Sequence, residues 1–147
     1  SNNEVKGANN KAELVELEAL YRDMKAQDLI DNGVTVADPS RLDVRGDVQA
    51  GNDCSIDVNV ILEGNIILGD NVSIGANTIL KNTTIGSDTK IEPFSHIDQA
   101  MIGSNCVIGP YARLREGSQI ENSAKVGNFV ETKNSTLGEG SKANHFT

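Results

Sequence analysis

The sequence IGSNCVIGPYARL, residues 102–114, places Ile102, Ile108 and Leu114 six residues apart, and this spacing decides the fold. The same pattern runs from Val44 to His145 and shortens to five residues in three places. Eighteen residues open these hexads, and fifteen of them are Ile, Leu or Val. The openers are Val44, Ala50, Ile56, Leu62, Leu68, Ile74, Leu80, Ile85, Ile91, Ile97, Ile102, Ile108, Leu114, Ile120, Val126, Thr132, Leu137 and Ala143. A fixed repeat of this kind outweighs local propensity as a signal of fold.

The hexad predicts a solenoid of short parallel strands. An inward opener and a second, mostly small inward residue four positions later suit the alternating faces of a strand, as Ile102 and Cys106 illustrate. Three hexads close one triangular coil whose backbone groups bond to the coils above and below. The eighteen openers give six coils, about 29 Å tall at roughly 4.8 Å per layer. The predicted fold class is therefore mainly β, a parallel β-helix.

A helix is predicted before the solenoid, from Lys11 onward. Asn10 can cap it, Asn32-Gly33 can stop it and Pro39 prevents its resumption, which gives about twenty residues. We expect a connector helix with a charged outer face. Its apolar stripe comprises Leu14, Leu17, Tyr21 and Met24, widened by Leu20 and Leu29.

Composition agrees with a thin solenoid core. Only 3% of the residues are aromatic and there is no Trp. The net charge of −8 disfavours a nucleic-acid partner, and the absence of a long apolar run or a signal peptide disfavours membrane and export classes. Cys54 and Cys106 lie three coils apart, roughly 14 Å, too far for a disulfide. We therefore expect buried free thiols in a reducing compartment, the cytoplasm.

Stacking of the coils predicts a column of charged residues, each one place after an opener. Its members are Arg45, Glu63, Lys81, Asp98, Arg115 and Lys133. The first four alternate in sign, whereas Arg115 and Lys133 do not. Two cations roughly 5 Å apart repel each other by about 1 kcal/mol in water, and a bound phosphate would relieve that repulsion. The alternative is that both cations fan apart into water.

His145 is a second candidate, because it falls near the corner that leads back to the face of Lys133. A histidine there could act as a general base, and Glu131 could orient it. The alternative is an ordinary surface or packed side chain, which is also how we interpret His96. No nucleophile elbow, zinc pattern or phosphate loop is present in the sequence.

Several longer motifs make the chain resemble a known family. The hexads are similar to those of the left-handed parallel β-helix in the hexapeptide acyltransferase superfamily. Within it, the chain resembles the middle of the bacterial bifunctional N-acetylglucosamine-1-phosphate uridyltransferases and glucosamine-1-phosphate N-acetyltransferases. The motifs are EVKGANN (4–10), DP (38–39), DVRG (43–46), IGPYARLR (108–115), VGNFVETK (126–133) and GSKANHFT (140–147).

The resemblance implies roles for four residues. Arg115 and Lys133 match residues that bind the phosphorylated amino sugar, and His145 matches the catalytic base that takes a proton from its 2-amino group. Asn9 matches a magnesium ligand of the uridylyltransferase site. Acetyl-CoA is the implied co-substrate, Mg²⁺ the implied metal of the nucleotidyl site, and a homotrimer the implied assembly. Asn144 departs from the family, which often has glycine there.

The resemblance also divides the chain. Residues 1–10 would be the end of a uridylyltransferase domain, 11–43 the connector and 44–147 an acetyltransferase β-helix cut within a hexad, so that we expect the fragment alone to be inactive. The rivals are another hexapeptide acyltransferase, with a serine or lipid-A acceptor, and a non-catalytic trimerisation scaffold. A γ-class carbonic anhydrase would need three histidine ligands, and the chain has two histidines.

Overall fold

The computed structural model describes the backbone of residues 2–144 and the side chains of residues 10–144. One α-helix, α1 (Asn2–Asp31), and one 3-10 helix (Pro39–Arg41) precede the main body of strands. The strands are β1 (Thr35–Val36), β2 (Leu42–Ala50), β3 (Ser55–Ile56), β4 (Val60–Leu68), β5 (Ser73–Ile74), β6 (Ile79–Ile85), β7 (Lys90–Ile91), β8 (His96–Asp98), β9 (Met101–Ile102), β10 (Val107–Ile108), β11 (Arg113–Leu114), β12 (Gln119–Ile120), β13 (Lys125–Val126), β14 (Glu131–Thr132), β15 (Thr136–Leu137) and β16 (Lys142–Ala143).

The strands stack in parallel and confirm the predicted β-helix preceded by a helix. One sheet has the order β1-β3-β5-β7-β10-β13-β16 and forms what we call the third face, which holds openers such as Ile108. The other sheet contains nine strands and covers the first face, with openers such as Leu114, and the second face, with openers such as Ile120. Paired residues lie one coil apart, as in Leu62↔Leu80 and Ile108↔Val126.

The openers form the core, as the repeat predicts. Fourteen of the eighteen are buried, and the exceptions are Ala50, Thr132, Leu137 and Ala143. Most of the second inward column is buried as well, including both cysteines, which are free thiols. The Cys106 thiol donates to the Glu121 carbonyl at 3.1 Å, so this small polar group is satisfied within the core.

The corners need a left-handed backbone, and the sequence supplies it. Between residues 2 and 144, thirteen non-glycine residues have positive φ, and eight of these are Asn or Asp, the non-glycine types that tolerate this region best. All three five-residue spacings fall at the corner between the first and second faces, which we call the first corner. They follow Leu80, Ile97 and Thr132.

Helix α1 begins earlier than the sequence predicts. It starts at Asn2 rather than after an Asn10 cap, and it spans 30 residues rather than about twenty. Gly7 is the one strong helix-disfavouring residue before Asn10, and a single interior Gly costs only about 1 kcal/mol relative to Ala. The predicted stop is confirmed. Gly33 has φ +94°, its amide donates to the Ile30 carbonyl at 3.0 Å, and the Val34 amide donates to the Leu29 carbonyl at 3.0 Å.

Among the described side chains of α1, from residue 10 onward, the buried ones lie in the last turns, which pack on the solenoid. Ala26 and Leu29 are buried, and Lys25 Nζ lies 3.4 Å from Asp47 Oδ1 at the first corner. Most of the predicted apolar stripe is instead exposed. Leu17 is 62% and Met24 64% exposed.

Candidate functional site

The site predicted from the charge column lies on the first face, in the last two coils. Arg113 pairs in register with Glu131, and the Arg115 amide donates to the Thr132 carbonyl at 2.9 Å. Lys133 is therefore the next residue up the column from Arg115, as the repeat predicts.

Carboxylates lie beside both cations, which the sequence analysis did not anticipate. Arg115 Nη1 lies 3.3 Å from Glu131 Oε2, and Arg113 Nη1 lies 4.0 Å from Glu131 Oε1. Lys133 Nζ lies 3.3 Å from Glu116 Oε1. The two cations therefore neither fan freely into water nor face each other alone, because each has an acidic neighbour.

This electrostatic environment shifts the pKa of Glu116. The pKa of its carboxyl lies below the ordinary value because its own backbone amide donates a hydrogen bond to it, Lys133 donates a second, and the charges of Lys133 and Arg115 favour the ionised form. Glu116 is thus held as an anion, next to cations that remain partly exposed.

Both ion pairs are loose. Charge-assisted N–H···O hydrogen bonds are typically about 2.7–2.9 Å long, and partly exposed pairs contribute about 0–1 kcal/mol. At 3.3 Å, Glu131 and Glu116 hold Arg115 and Lys133 weakly.

The rest of the charge column is in register but pairs differently from the prediction. Arg45 lies opposite Glu63, and Lys81 lies opposite Asp98. Arg45 instead binds Asp43 on its own strand at 2.7 Å, and the hydrogen bond and charge of that carboxylate raise the pKa of Arg45. Residues two apart on a strand share a face, so a same-strand partner can compete with one on the next coil.

The sequence prediction did not include an aromatic ladder. This ladder lies at the corner between the third and first faces. It consists of Phe94, Tyr111 and Phe129, whose ring centroids are 5.1 and 5.5 Å apart with interplanar angles of 7° and 18°. The signal was present in the sequence, because each aromatic stands three residues before an opener of the first face. All three have positive φ and are about half exposed.

Two predicted site residues stay predictions. His145 lies outside the described residues, so the proposed interaction with Glu131 is untested, and the described partners of Glu131 are Arg113 and Arg115. Asn9 lies in α1, but its side chain is not described. Among residues 10–144, no group of three or more His, Cys, Asp or Glu is placed to hold a metal ion.

Comparison with known proteins places this chain in a family. The model of the GMPPB C-terminal domain matches residues 44–145. The chain belongs to this family. The match covers the β-helix domain that contains Arg115 and Lys133.

Curated relatives extend the likeness across α1. The chain is 53% identical over 98% of its length to the bifunctional protein GlmU of Burkholderia vietnamiensis, and 55% identical over 98% to that of Burkholderia orbicola. It spans 32% of the length of each. The predicted resemblance to a bacterial bifunctional enzyme is thus confirmed for this GMPPB C-terminal domain protein.

A solved structure supports the fold. A Bacillus cereus protein described as an acetyltransferase aligns with a TM-score of 0.59 at 21% identity, over 78% of this chain and 67% of its own. No helix within the described part of the GMPPB C-terminal domain protein is long and apolar enough to cross a membrane.

Proposed function

We propose that this chain binds glucosamine-1-phosphate through Arg115 and Lys133, within an enzyme that transfers an acetyl group from acetyl-CoA to the sugar's 2-amino group. The observation that carries the proposal is the placement of these two cations on adjacent coils, each held only loosely by a carboxylate. Relatives named as bifunctional GlmU proteins support the bifunctional setting.

Phosphate binding follows from the charges of the site. Arg115 offers a planar fork of donors and Lys133 a compact ammonium, a combination that suits phosphate oxygens. Before binding, Glu131 and Glu116 occupy the cations. A phosphate replaces both carboxylates with one dianion, which relieves the repulsion between the stacked cations.

The reaction balances without further reactants. The 2-amino nitrogen attacks the thioester carbonyl carbon, the carbon–sulfur bond breaks and coenzyme A leaves as the thiol. The nitrogen must lose a proton, which we assign to His145 as general base. An amine attacks only in its unprotonated form, so the site must bind the sugar without stabilising its ammonium form.

The relatives also motivate proposals beyond the β-helix. We assign residues 1–10 to the end of a uridylyltransferase domain whose Mg²⁺ site includes Asn9, residues 11–43 to a connector and residues 44–147 to the acetyltransferase domain. A cytoplasmic location is supported by the buried free thiols of Cys54 and Cys106.

A homotrimer is the proposed assembly. The half-exposed aromatic ladder is an apolar surface that assembly would cover. Light scattering on the purified chain should give three times the monomer mass, and a monomer at all accessible concentrations would contradict the assembly.

Coenzyme A thiol release with glucosamine-1-phosphate as acceptor tests the function. The assay compares this chain with one extended past Thr147 to the length of the curated relatives, and introduces His145→Ala, Arg115→Ala and Lys133→Ala into the longer chain. We expect His145→Ala to reduce kcat about a hundredfold or more. We expect each cation variant to raise KM for the sugar phosphate about tenfold or more.

Lys125→Ala is the matched control. Lys125 lies exposed on β13 of the third face, so its removal changes the net charge as Lys133→Ala does and should leave KM unchanged. An extended chain that folds and trimerises but releases no thiol would refute the acetyltransferase and favour a non-catalytic scaffold. Release with another acceptor alone would favour a different acyltransferase.

A further inference from the structure

A small cleft on the first face is lined by residues of the coil that contains Asp98 and of the next coil, which contains Arg115. Its volume is about 110 Å³. It is large enough for a few waters or for one polar arm of a ligand, since a liquid water occupies about 30 Å³. The residues that line it are His96, Asp98, Arg113, Leu114, Arg115 and Glu116.

Asp98, one of the lining residues, has a side-chain oxygen in an unusual state. It ends β8 and stands one coil below Arg115, because His96 and Ile97 pair in register with Arg113 and Leu114. Its Oδ1 oxygen is buried and accepts no hydrogen bond. Buried carboxylate oxygens normally have a donor, so this acceptor requires one from a ligand or from water.

The neighbours of Asp98 do not supply that donor. Arg115 points its Nη1 at Glu131 on the coil above, at 3.3 Å. Lys81 lies opposite Asp98 on the coil below, yet no ion pair joins the two among the described residues. The cleft therefore combines an unsatisfied acceptor with a cation that we assign to phosphate.

We propose that Asp98 is a specificity-determining residue whose carboxylate accepts a hydrogen bond from a hydroxyl group of the bound sugar phosphate. This inference rests on the proposed function, because Arg115 would fix the phosphate one coil away. The cleft is too small for a hexose ring, so it receives one hydroxyl-bearing arm rather than the ring.

A hydroxyl is favoured over the 2-amino group as the donor. A carboxylate that accepts a hydrogen bond from an ammonium group stabilises that charged form and raises its pKa. Attack on a thioester requires the neutral amine, so pairing the amine with Asp98 would oppose the reaction. A neutral hydroxyl has no such conflict.

Binding measurements with deoxy sugars test the proposal. The ligands are glucosamine-1-phosphate, its 3-, 4- and 6-deoxy forms and inorganic phosphate. Affinities are measured by chemical-shift titration on this chain and by KM in the extended chain. The variants are Asp98→Ala and Asp98→Asn, with Asp57→Ala as the control, since Asp57 is an exposed carboxylate on the third face.

We expect Asp98→Ala to weaken glucosamine-1-phosphate about 10- to 100-fold, the usual range for a hydrogen bond to a charged group. One deoxy form should bind the unaltered chain more weakly than glucosamine-1-phosphate by a similar factor. Asp98→Ala should not weaken the binding of that deoxy form further. Asp98→Asn retains an acceptor oxygen and should recover part of the affinity. Inorganic phosphate should bind Asp98→Ala no more weakly, because a nearby negative charge has been removed.

Each other outcome is decisive. If Asp98→Ala weakens inorganic phosphate as much as the sugar phosphate, the residue supports the site structurally and the proposal is wrong. If Asp98→Ala weakens the binding of every deoxy form as much as that of glucosamine-1-phosphate, the cleft holds only water and the proposal is wrong. If Arg115→Ala and Lys133→Ala change neither phosphate nor sugar binding, the proposed function itself fails.

Discussion

Helix α1 and the solenoid bury their apolar residues to opposite degrees. In the solenoid, openers such as Leu80 and Leu114 are fully buried, whereas Leu17 and Met24 in α1 are more than 60% exposed. Both segments follow an apolar period that suits their secondary structure. The difference is that each coil covers the next within the same chain, while one helix can bury only the stripe that another surface meets.

Sequence periodicity determines which residues are buried in the solenoid but not in α1. A hexad repeat contains its own packing partner eighteen residues away. A helical stripe indicates only that some partner exists, and α1, which packs on β2, buries Ala26 and Leu29 while most of the stripe stays exposed.

Truncation of one apolar side chain in each region should give the largest difference in the free energy of unfolding. Leu80→Ala removes a fully buried side chain from a stack closed above and below, and should lower the free energy of unfolding by about 2–5 kcal/mol. Leu17→Ala, at an exposed helix position, should change it by less than about 0.5 kcal/mol. Urea denaturation followed by circular dichroism measures both. Equal losses would mean that the stripe of α1 is buried in solution.

A glycine pair tests the closeness of the coils. A Cβ at Gly46 would lie 2.7 Å from the Gly64 nitrogen and 2.8 Å from its carbonyl carbon, besides meeting the Gly64 oxygen. Gly46→Ala should therefore cost about 1–3 kcal/mol. Gly138→Ala is the control, because its nearest neighbour, Ser141 Oγ, is 3.5 Å away. Thermal unfolding compares them, and an unchanged Gly46→Ala midpoint would show that the first two coils can separate without cost.

Two equally exposed tyrosines, one in the solenoid and one in α1, allow the stabilising effect of aromatic contacts in the two regions to be compared. Tyr111 and Tyr21 are both 49% exposed, but Tyr111 stacks on two rings and Tyr21 contacts one Lys25 ammonium, 5.3 Å from its ring centroid. Tyr111→Ala should cost about 1–2 kcal/mol and Tyr21→Ala about 0.5–1 kcal/mol in urea denaturation. The reverse order would show that the ladder adds no stability.

The smallest effect concerns the junction between helix and solenoid. The Ser40 hydroxyl and backbone amide donate to Asp38 Oδ1 at 2.7 and 3.0 Å, and these bonds lower the pKa of Asp38. The stability they contribute is present above the unfolded-state pKa, about 3.9, and is lost as pH falls through the lowered value. Below about pH 4, the thermal midpoint of the unaltered chain should therefore fall slightly more steeply than that of Asp38→Asn. Asp23→Asn in α1 is the control, and parallel slopes for all three would contradict this role.

Most of the fold could be predicted, because the hexad itself specifies which residues face inward. Ile108, Leu114 and Val126 are buried and Cys54 and Cys106 are free, as expected. The predicted beginning of α1 was wrong, since a cap at Asn10 is only one of the ways in which a helix can start and no strong breaker precedes it. Repeats fix registry, whereas helix ends depend on small differences in propensity.

The candidate site was predicted in part. Stacking placed Arg115 beside Lys133, because that requires only the coil length. It could not show that Glu131 and Glu116 take up the two cations, since ion pairs on a surface depend on rotamers and on same-strand neighbours. The cleft at Asp98 was likewise invisible, because an unsatisfied oxygen is a property of atoms rather than of spacing.

The first corner has a consequence for how such a chain can be edited. Coils with Gly46, Gly64 and Gly117 there are one residue longer than coils with Asn82, Gln99 and Asn134, yet the openers on either side remain in register. Differences in length between the coils of this chain are thus confined to one vertical seam of the prism. A one-residue insertion after Asn82 would give its coil the length that the coils of Gly46, Gly64 and Gly117 already have, at a position away from Tyr111, Arg115 and Lys133 in the chain.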